Sequence, residues 1–372
     1  MYNNTSTGVI SVKELTLIIP VYNTPTKLLD RLFKSIDDDR IDIIIANDGS
    51  DEITTEHLEK FAKGKSNVKL LNCENYGAAT ARKNALDYLE TKYFTFVDSD
   101  DVSYVGNLLE LLDQMKKDDT KIGNGRIKCY LPNIPIGLNS KKWKLDYVDF
   151  GKDKSALGSV TCSFVDKIYH ESLIPIIKTP SKHTQYHDME VVYPALIQAG
   201  AMTHTNNIVY EYRMRNNSSS HSISELDPVS STCVSKILEA YDLMVDIMKD
   251  YGMFDEYKEE VESIMIKLIY QRMRRMIMSS DIENKKEMAT LFLNMMESIV
   301  PGYQDNRYYK ENFEGSEIND KISYDMCSKF IKKNGIYTTY HGEKPAYFFE
   351  EYDAKIMLKS KKNTAESHQI IM

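Results

Sequence analysis

The stretch K-Y-F-T-F-V-D-S-D-D, residues 92–101, places an apolar run directly before three carboxylates. The run Y-F-T-F-V has the length and composition of a strand that is buried on both faces. Charge is expensive to bury without partners, so the acids belong where the strand ends. The stretch therefore predicts a buried strand whose carboxyl end presents a cluster of acidic groups.

Similar apolar runs precede this one, with helical patterns between them. The predicted strands cover 15–20, 41–46, 68–71 and 93–97, and the predicted helices cover 25–36, 54–63 and 77–90. Strands and helices that alternate at this spacing form βαβ units with a parallel sheet. Ligands of such sheets bind at the carboxyl ends of the strands. The clusters V-Y-N, N-D-G-S and D-S-D-D each follow a strand, so all three are predicted to lie at that edge.

The remainder of the chain changes from a mixed pattern to a helical one. We predict a strand at 158–165, with the sequence G-S-V-T-C-S-F-V, and a helix over 187–200 that stops at a glycine. Further amphipathic helices are predicted at 229–250, 254–279 and 284–299.

Composition narrows the class of protein. The chain has 372 residues, a net charge of −8, 42% hydrophobic residues and 27% charged residues, which is ordinary for a globular protein. The negative net charge argues against a nucleic-acid partner. Five cysteines without C-x-x-C spacing favour a reducing compartment without disulfides or structural zinc. Neither a signal peptide nor a transmembrane run of about 18 apolar residues is evident, so we expect a cytoplasmic protein.

The D-S-D-D cluster offers several hard oxygen ligands in four positions. Divalent cations such as Mg²⁺ and Mn²⁺ prefer these ligands and often share them with substrate phosphates. A hydrated, aspartate-rich turn that caps the next helix would have the same composition. The tetrapeptide alone is consistent with both interpretations.

Two other strand ends carry groups suited to a nucleotide. Asp48, in N-D-G-S-D at 47–51, can accept a hydrogen bond from a nucleobase or a ribose, although a type I turn is the better explanation of this cluster taken alone. Tyr22, in P-V-Y-N at 20–23, can stack on a planar base, or it can pack on its own domain.

A fourth cluster, N-Y-G-A-A-T-A-R-K-N at 75–84, opens a predicted helix with small residues. Gly77 would let the backbone approach a ligand closely. Arg82 would reach a phosphate or, in the simpler interpretation, lie on the surface.

Together, the order and spacing of these clusters resemble the family-2 inverting glycosyltransferases of the GT-A fold, of the kind that builds bacterial or phage cell-surface polysaccharides. That family reads P-x-Y-N, D-D-G-S, N-x-G-x-x-x-A-R-N and D-x-D. The resemblance covers 15 to about 110 well, is fainter over 158–222, and does not reach the C-terminal third. Two positions differ, because Asn47 stands where the family commonly has aspartate, and Lys83 follows Arg82 where the family often has asparagine.

The resemblance implies an α/β fold, namely a Rossmann-like, nucleotide-binding mixed sheet flanked by helices, with an α-helical C-terminal region. We accordingly predict a GT-A catalytic domain over 1–225, a helical domain over 226–300, and a mixed extension with a flexible tail over 301–372. The implied reaction transfers a sugar, with inversion, from a nucleotide-sugar, most often a UDP-sugar. The implied acceptor is a hydroxyl of a saccharide, polymer, lipid or protein, and the implied cofactor is Mn²⁺ or Mg²⁺.

The resemblance also implies site residues. Those expected to bind the nucleotide-sugar are Pro20, Val21, Tyr22, Asn23, Asp48, Arg82, Asp98 and Ser99. Those expected to hold the metal are Asp98 and Asp100, with His221 as a further candidate, and the candidates for the diphosphate are Arg213, Arg215 and His221.

The family's catalytic base is the second residue of an E-D-like pair that opens a later helix. The stretch H-D-M-E at 187–190 lies in that place, and we expect Asp188 to be the base. Glu190 is the local competitor, but two positions along a helix point it away from Asp188. Acids in a first helical turn also complement the helix dipole without any catalytic role.

Other classes of function stay open. One is a transferase-like binding or scaffold module without activity, and another is a different metal-dependent transferase that uses nucleotides. A dehydrogenase is disfavoured, because the loop after the first strand, V-Y-N-T-P-T, lacks G-x-G-x-x-G. The C-terminal helices would recognise an acceptor, form a homo-oligomer or act as a buttress. Arg272 and Arg275 in this region suggest a weak peripheral contact with a membrane as a further option.

Overall fold

The structure is a computed structural model that describes residues 12–130, 138–139, 142–180, 186–213, 231–279, 283–314 and 321–336. The chain divides into two units. The first contains the described residues up to Ala156 and those from Thr161 to Arg213. The second contains Leu157–Val160 and the described residues from Ser231 onward. No helix within the described ranges is long and apolar enough to cross a membrane.

The first unit is built on one mixed sheet. Its strands are β1 (Leu15–Val21), β2 (Ile41–Asp48), β3 (Val68–Cys73), β4 (Tyr93–Phe96), β5 (Val102–Ser103), β6 (Ile122–Tyr130), β7 (Leu138–Asn139), β8 (Tyr147–Asp149), β9 (Lys167–His170) and β10 (Ala201–Arg213). The order is β3-β2-β1-β4-β9-β6-β10-β5, with β7 beside β6 and β8 beside β10. The first four strands are parallel to one another, and β9 is antiparallel to β4 and β6. All four strands predicted in the first hundred residues are confirmed.

Helices flank this sheet. They are α1 (Thr26–Ser35), α2 (Glu52–Ala62), α3 (Ala78–Ala85), α4 (Val105–Asp118), α5 (Ile174–Ile177) and α6 (His187–Ala199), with 3₁₀ turns at Leu86–Tyr88, Lys154–Ser159 and Glu171–Leu173. The predicted helix over 77–90 is an α-helix for its first half only and then tightens into the first of these 3₁₀ turns. The helix predicted over 187–200 is confirmed, and Gly200 ends it with a positive φ of 74°. The α/β fold class with a mixed, helix-flanked sheet is therefore confirmed.

Burial explains why the central strands read as unbroken apolar runs. Every residue of β1 is buried, because helices cover both faces of the sheet at its centre. The one polar side chain within β1, Thr16, bonds Thr91 at 2.7 Å. The strand therefore contributes apolar surface to the core without leaving a buried hydroxyl unpaired.

The parallel register aligns the strand ends at which polar clusters were predicted. Val21 of β1 lies opposite Asn47 of β2, and Asp48 lies opposite Cys73 of β3. The segments that follow these strands therefore begin side by side along one edge of the sheet. The D-S-D-D turn follows β4, which is the neighbour of β1 on the other side, so it belongs to the same edge.

The prediction of a strand over 158–165 is wrong. These residues form the end of a 3₁₀ turn and a loop, and the strand is instead β9, which begins at Lys167. The Lys167 ammonium is fully buried and donates to Thr161 Oγ1, to the Ser163 carbonyl and to Asp166 Oδ1 at 3.1, 2.9 and 2.7 Å. These acceptors of the loop are hydrogen-bonded by the Lys167 ammonium and do not require pairing with a neighbouring strand.

The second unit is helical in the part that the structure describes. Its helices are α7 (Ser231–Asp250), α8 (Phe254–Met278), α9 (Lys285–Ile299), α10 (Arg307–Glu314) and α11 (Lys321–Asn334). The three helices predicted over 229–299 are confirmed. The central helix, α8, packs against each of the other four. Arg272 of α8 is buried whereas Arg275 is exposed, so the two arginines do not form one exposed basic face.

Candidate active site

The P-V-Y-N segment ends β1 at the polar edge of the sheet. Pro20 and Val21 are buried in the strand, whereas Tyr22 is 53% exposed. Asn23 has a positive φ of 48°, a conformation that asparagine tolerates better than most residues. Its side-chain oxygen accepts from the Asp51 amide at 2.7 Å. Asn23 therefore links two turns, and both Tyr22 and Asn23 are exposed to solvent.

Asp48 is held by the backbone that follows β3. Its Oδ1 accepts from the Tyr76 amide and its Oδ2 from the Gly77 amide, both at 2.9 Å. The chain can pass this close because Gly49 has no side chain, and a Cβ there would lie 2.9 Å from the Asn75 nitrogen. Each carboxylate oxygen keeps a second lone pair. The nearly buried carboxylate is thus oriented in advance and can accept a further hydrogen bond.

Arg82 pairs with the first aspartate of the D-S-D-D turn. The distance from Arg82 Nη2 to Asp98 Oδ1 is 2.5 Å, and the guanidinium lies 5.9 Å from the centre of the Phe164 ring. Burial alone would lower the pKa of Arg82, but the Asp98 and Asp188 carboxylates raise it above its ordinary value. The buried Nε has no hydrogen-bond partner among the described residues, so this arginine keeps an unused donor.

The middle of the turn is fixed from the first strand–helix unit. Ser99 is buried, and its hydroxyl lies 2.6 Å from the Thr24 hydroxyl. The Asp100 carbonyl accepts from Arg31 of α1 at 2.6 Å. Ser99 therefore anchors the turn, and the half-buried Asp100 side chain is carried on a backbone held at two points.

The last aspartate of the turn is buried. Asp101 accepts from the Tyr210 hydroxyl and from the Arg213 amide, both at 2.8 Å. Burial, and then the negative charges of Asp98 and Asp100, raise the pKa of Asp101 to about 8. The Tyr210 hydroxyl also accepts from the Asp98 amide at 3.1 Å. Asp101 thus ties the turn to β10, and the sequence carried no signal for this contact.

Asp188 lies in the first turn of α6, and the fold brings it beside the Arg82–Asp98 pair. It is half-buried, and its Oδ2 accepts from the Phe164 amide at 3.3 Å. Burial raises the pKa of Asp188; the Arg82 charge opposes this shift, and the Asp98 charge adds to it. A carboxyl group whose pKa is raised toward neutrality, next to a cation and in partial contact with solvent, suits general-base chemistry.

Glu190 does not compete with Asp188 for a place in this site. Its Oε2 lies 2.8 Å from His187 Nδ1, and both side chains are buried. The His187 ring also packs against the Phe164 ring, with 5.6 Å between centres. A spacing of three residues on a helix allows this pairing, so the sequence did contain a signal for it.

Lys83, which departs from the family pattern, has a structural partner. Its ammonium donates to the Thr179 carbonyl at 2.5 Å, and burial lowers the pKa of Lys83. This bond ties α3 to the segment between α5 and α6.

Cys162 lies close enough to Asp188 for the two groups to interact electrostatically. Burial, and then the Asp188 charge, raise the pKa of the Cys162 thiol to about 11. The thiol therefore stays protonated at neutral pH and is a poor nucleophile.

The capacity of this edge to hold a metal rests on two carboxylates. Within the described ranges, no group of three or more histidine, cysteine, aspartate or glutamate side chains is arranged to hold a metal ion. Asp98 and Asp100 offer hard oxygens, and a Mg²⁺ site of one or two carboxylates completed by substrate phosphates needs no more from the protein. The predicted candidates His221 and Arg215 lie outside the described residues.

Arg213 lies at the C-terminal end of β10. Its Nε donates to Glu211 at 2.5 Å, and its guanidinium stacks 4.5 Å from the centre of the Tyr130 ring. Because its backbone amide also binds Asp101, Arg213 places a cation beside the D-S-D-D turn.

A known family matches part of the chain. Residues 16–173 match the family described as Glycosyl transferase family 2. This stretch is therefore similar to the glycosyltransferase family 2 domain. The protein is accordingly a glycosyltransferase. The matched residues include Tyr22, Asp48, Arg82 and Asp98, whereas Asp188 lies beyond the end of the match.

Relatives and solved structures agree with this assignment. The protein is 24% identical over 344 residues to the cholesterol galactosyltransferase of Borreliella burgdorferi. The alignment covers 87% of this chain and 88% of that protein. It is also 32% identical over 114 residues to YibD of Escherichia coli, an uncharacterized glycosyltransferase. That alignment covers 30% of this chain and 33% of YibD.

Among solved structures, S. aureus TarS 1-349 in complex with UDP-GlcNAc is similar with a TM-score of 0.60 and 18% identity. The similarity covers 88% of this chain and 94% of that one. At this identity the likeness shows a shared fold.

Proposed function

We propose that this glycosyltransferase moves a sugar from a UDP-sugar to an acceptor hydroxyl, with inversion at the anomeric carbon and with Mn²⁺ or Mg²⁺ at the D-S-D-D turn. The observation that carries the proposal is the meeting of Asp188 with the Arg82–Asp98 pair. Asp188, the general base for the acceptor hydroxyl, lies beside Arg82, the guanidinium that faces the leaving diphosphate, although the two residues are far apart in the sequence.

The base and ribose of the donor bind at the ends of β1 and β2. Tyr22 is exposed and offers an aromatic face. Asp48 is oriented by two backbone amides and accepts a hydrogen bond from the uracil ring. Because a carboxylate that accepts no bond from its ligand is left buried and under-satisfied, Asp48 favours a base with an N–H at that position.

The diphosphate binds beside Arg82. The guanidinium group of this residue, whose side chain is 15% exposed, donates to phosphate oxygens. Arg82 is rigid because Asp98 holds one end of its fork and Phe164 lies against its face. A preorganised cation of this kind stabilises the charge that develops on a leaving diphosphate without reorganising during the reaction.

The carboxylates of Asp98 and Asp100 fit a divalent cation that is shared with the diphosphate. Both are hard ligands at the strand edge, and a cation with so few protein ligands takes its remaining ligands from phosphate and water. When bound, the ion neutralises negative charge on the leaving group. Arg31 and Tyr210 bond the backbone of the turn that presents these two side chains, and Thr24 bonds the Ser99 hydroxyl between them.

Asp188 acts as the general base. It removes the proton from the acceptor hydroxyl as that oxygen forms a bond to the anomeric carbon and the bond to the diphosphate breaks. A single displacement of this kind inverts the anomeric centre. The Phe164 amide fixes the orientation of the carboxylate, and its raised pKa makes it a stronger base than an ordinary aspartate.

The solved TarS complexes support the choice of donor. That protein shares the fold and was crystallised with UDP-GlcNAc and with UDP. The similarity to a cholesterol galactosyltransferase extends over most of both chains. Lipid hydroxyls should therefore be tested as acceptors together with saccharides, polymers and proteins.

A donor screen tests this proposal. The protein would be incubated with Mn²⁺ and each of UDP-glucose, UDP-galactose, UDP-N-acetylglucosamine and UDP-N-acetylgalactosamine, with cholesterol, diacylglycerol and oligosaccharide acceptors. We expect transfer from one donor, dependence on the metal, and a β-linked product by NMR coupling at the anomeric proton. An α-linked product from these α-linked donors would rule out inversion, and unchanged turnover in EDTA would rule out the metal.

A further inference from the structure

Tyr76 is an exposed aromatic residue beside the proposed nucleotide site, and the function described so far gives it no role. Its side chain is 60% exposed, so it contributes little to the core. Its hydroxyl donates to Glu74 Oε2 at 2.6 Å, which restricts the ring. Its backbone amide donates to Asp48, so the residue cannot lie far from that carboxylate.

The strand register places Tyr22 and Tyr76 on opposite sides of Asp48. Tyr22 follows β1, which pairs with one edge of β2, and Tyr76 follows β3, which pairs with the other edge. Asp48 is the last residue of β2, between them. Gly49 then lets the segment after β3 fold back over the end of β2. Two exposed tyrosines therefore flank the one carboxylate proposed to bind the base.

We propose that Tyr76 binds the nucleobase of the donor and forms, with Tyr22, two aromatic walls of a slot that has Asp48 at its base. This inference rests on the proposed use of a UDP-sugar and extends it to Tyr76, which occupies the variable position of N-x-G and has been given no role so far. Stacking on an aromatic ring covers the face of a base whatever its identity, whereas the hydrogen bond to Asp48 selects the base.

The surroundings of Tyr76 prepare it for this role. Fixing a side chain on binding opposes affinity because rotamer freedom is lost. The Glu74 hydrogen bond and the anchored backbone of Tyr76 have already removed part of that freedom. The simpler alternative is a surface tyrosine that only satisfies Glu74, and the two interpretations predict different responses to UDP.

The test is calorimetric titration of the full chain with UDP in the presence of Mn²⁺. We expect Tyr76→Ala to weaken UDP binding about tenfold or more, which is the effect of losing one base–aromatic stack. Tyr76→Phe keeps the ring and loses only the bond to Glu74, so its affinity should stay within about threefold of the wild type. Tyr88→Ala removes another exposed tyrosine, near the start of β4 and away from the site, and should change nothing.

A second ligand separates a stacking role from a structural one. Pyrophosphate has no base, so Tyr76→Ala should bind Mn²⁺ and pyrophosphate as the wild type does. Equal loss for UDP and pyrophosphate, or unchanged UDP affinity in Tyr76→Ala, would overturn the inference while leaving the proposed function in place. If the wild type binds no UDP at all, the proposed function fails first and this inference fails with it.

Discussion

The D-S-D-D turn and the first turn of α6 both carry neighbouring acids, and both divide those acids between two environments. In the turn, Asp98 faces Arg82 at the site, whereas Asp101 is buried against Tyr210. In the helix, Asp188 is half-buried beside the same arginine, whereas Glu190 is buried against His187.

The difference between the members of each pair lies in their partners. A buried carboxylate whose hydrogen bonds come from the protein fixes geometry, since removing it strands those donors. A carboxylate at the solvent edge with spare acceptor capacity is free to act on a ligand. The comparison predicts that Asp188 and Glu190, two residues apart, respond to substitution in different measurements.

The largest expected effect is on activity in Asp188→Asn. Transfer should fall by about 10²–10⁴, the usual contribution of a general base, because asparagine cannot take the acceptor proton. UDP affinity, measured by calorimetry with Mn²⁺, should stay within about twofold of the wild type. Glu190→Gln is the matched control, since it removes the neighbouring charge but keeps a hydrogen-bonding side chain, and it should retain most of its turnover. Robust transfer by the Asp188 variant would show that the base is elsewhere.

The next largest effect is on stability in Glu190→Ala. This change leaves His187 buried without its partner, and we expect a loss of about 3 kcal/mol in the free energy of unfolding. Urea denaturation followed by circular dichroism measures it. Glu56→Ala, an exposed position of α2, should change stability by less than about 0.5 kcal/mol. Equal effects for the two variants would mean that the buried pair contributes nothing.

The D-S-D-D turn should show the same division on a smaller scale. Asp101→Ala strands the Tyr210 hydroxyl and the Arg213 amide, so we expect a loss of about 2 kcal/mol in the free energy of unfolding. Asp100→Ala should weaken the binding of UDP in the presence of Mn²⁺ and should cost less stability than Asp101→Ala, because Asp100 is half-buried whereas Asp101 is buried. The opposite pattern, with Asp100 stabilising the fold and Asp101 binding the ligand, would reverse the assignment.

The smallest effect is a shift in the pH profile. Asp188 acts when ionised, so turnover falls as pH drops through its pKa. Because that pKa is raised, the acid limb of kcat/KM should lie above about pH 4, where an ordinary aspartate titrates. Arg82 opposes the rise, so Arg82→Gln should move the limb to higher pH in whatever turnover it retains. An acid limb that stays in place in Arg82→Gln would show that the two charges do not interact.

Much of the sheet and its polar edge could be predicted from sequence. The four buried strands read as apolar runs because helices cover both sheet faces, and the clusters that follow them lie at one edge because the strands are parallel. Parallel strands all end at the same edge of the sheet, so the positions of Asp48 and Asp98 at that edge follow from the amino-acid pattern.

The rest depends on contacts between distant segments, which no local pattern encodes. The bond from Tyr210 to Asp101 joins positions far apart in sequence. The buried Lys167 turns an apolar stretch that reads as a strand into a loop. The pairing of His187 with Glu190 is local and could have been found from its helical spacing, but the burial that gives it weight depends on the packing of α6.

A crystal structure of the protein with Mn²⁺ and UDP tests the central claim most directly. We predict the cation within coordination distance of Asp100, the diphosphate against the guanidinium group of Arg82, and an open path from the β-phosphate to Asp188. A nucleotide bound at any other place, or one bound at this edge with Arg82 and both aspartates of the D-x-D sequence turned to solvent, would contradict the account.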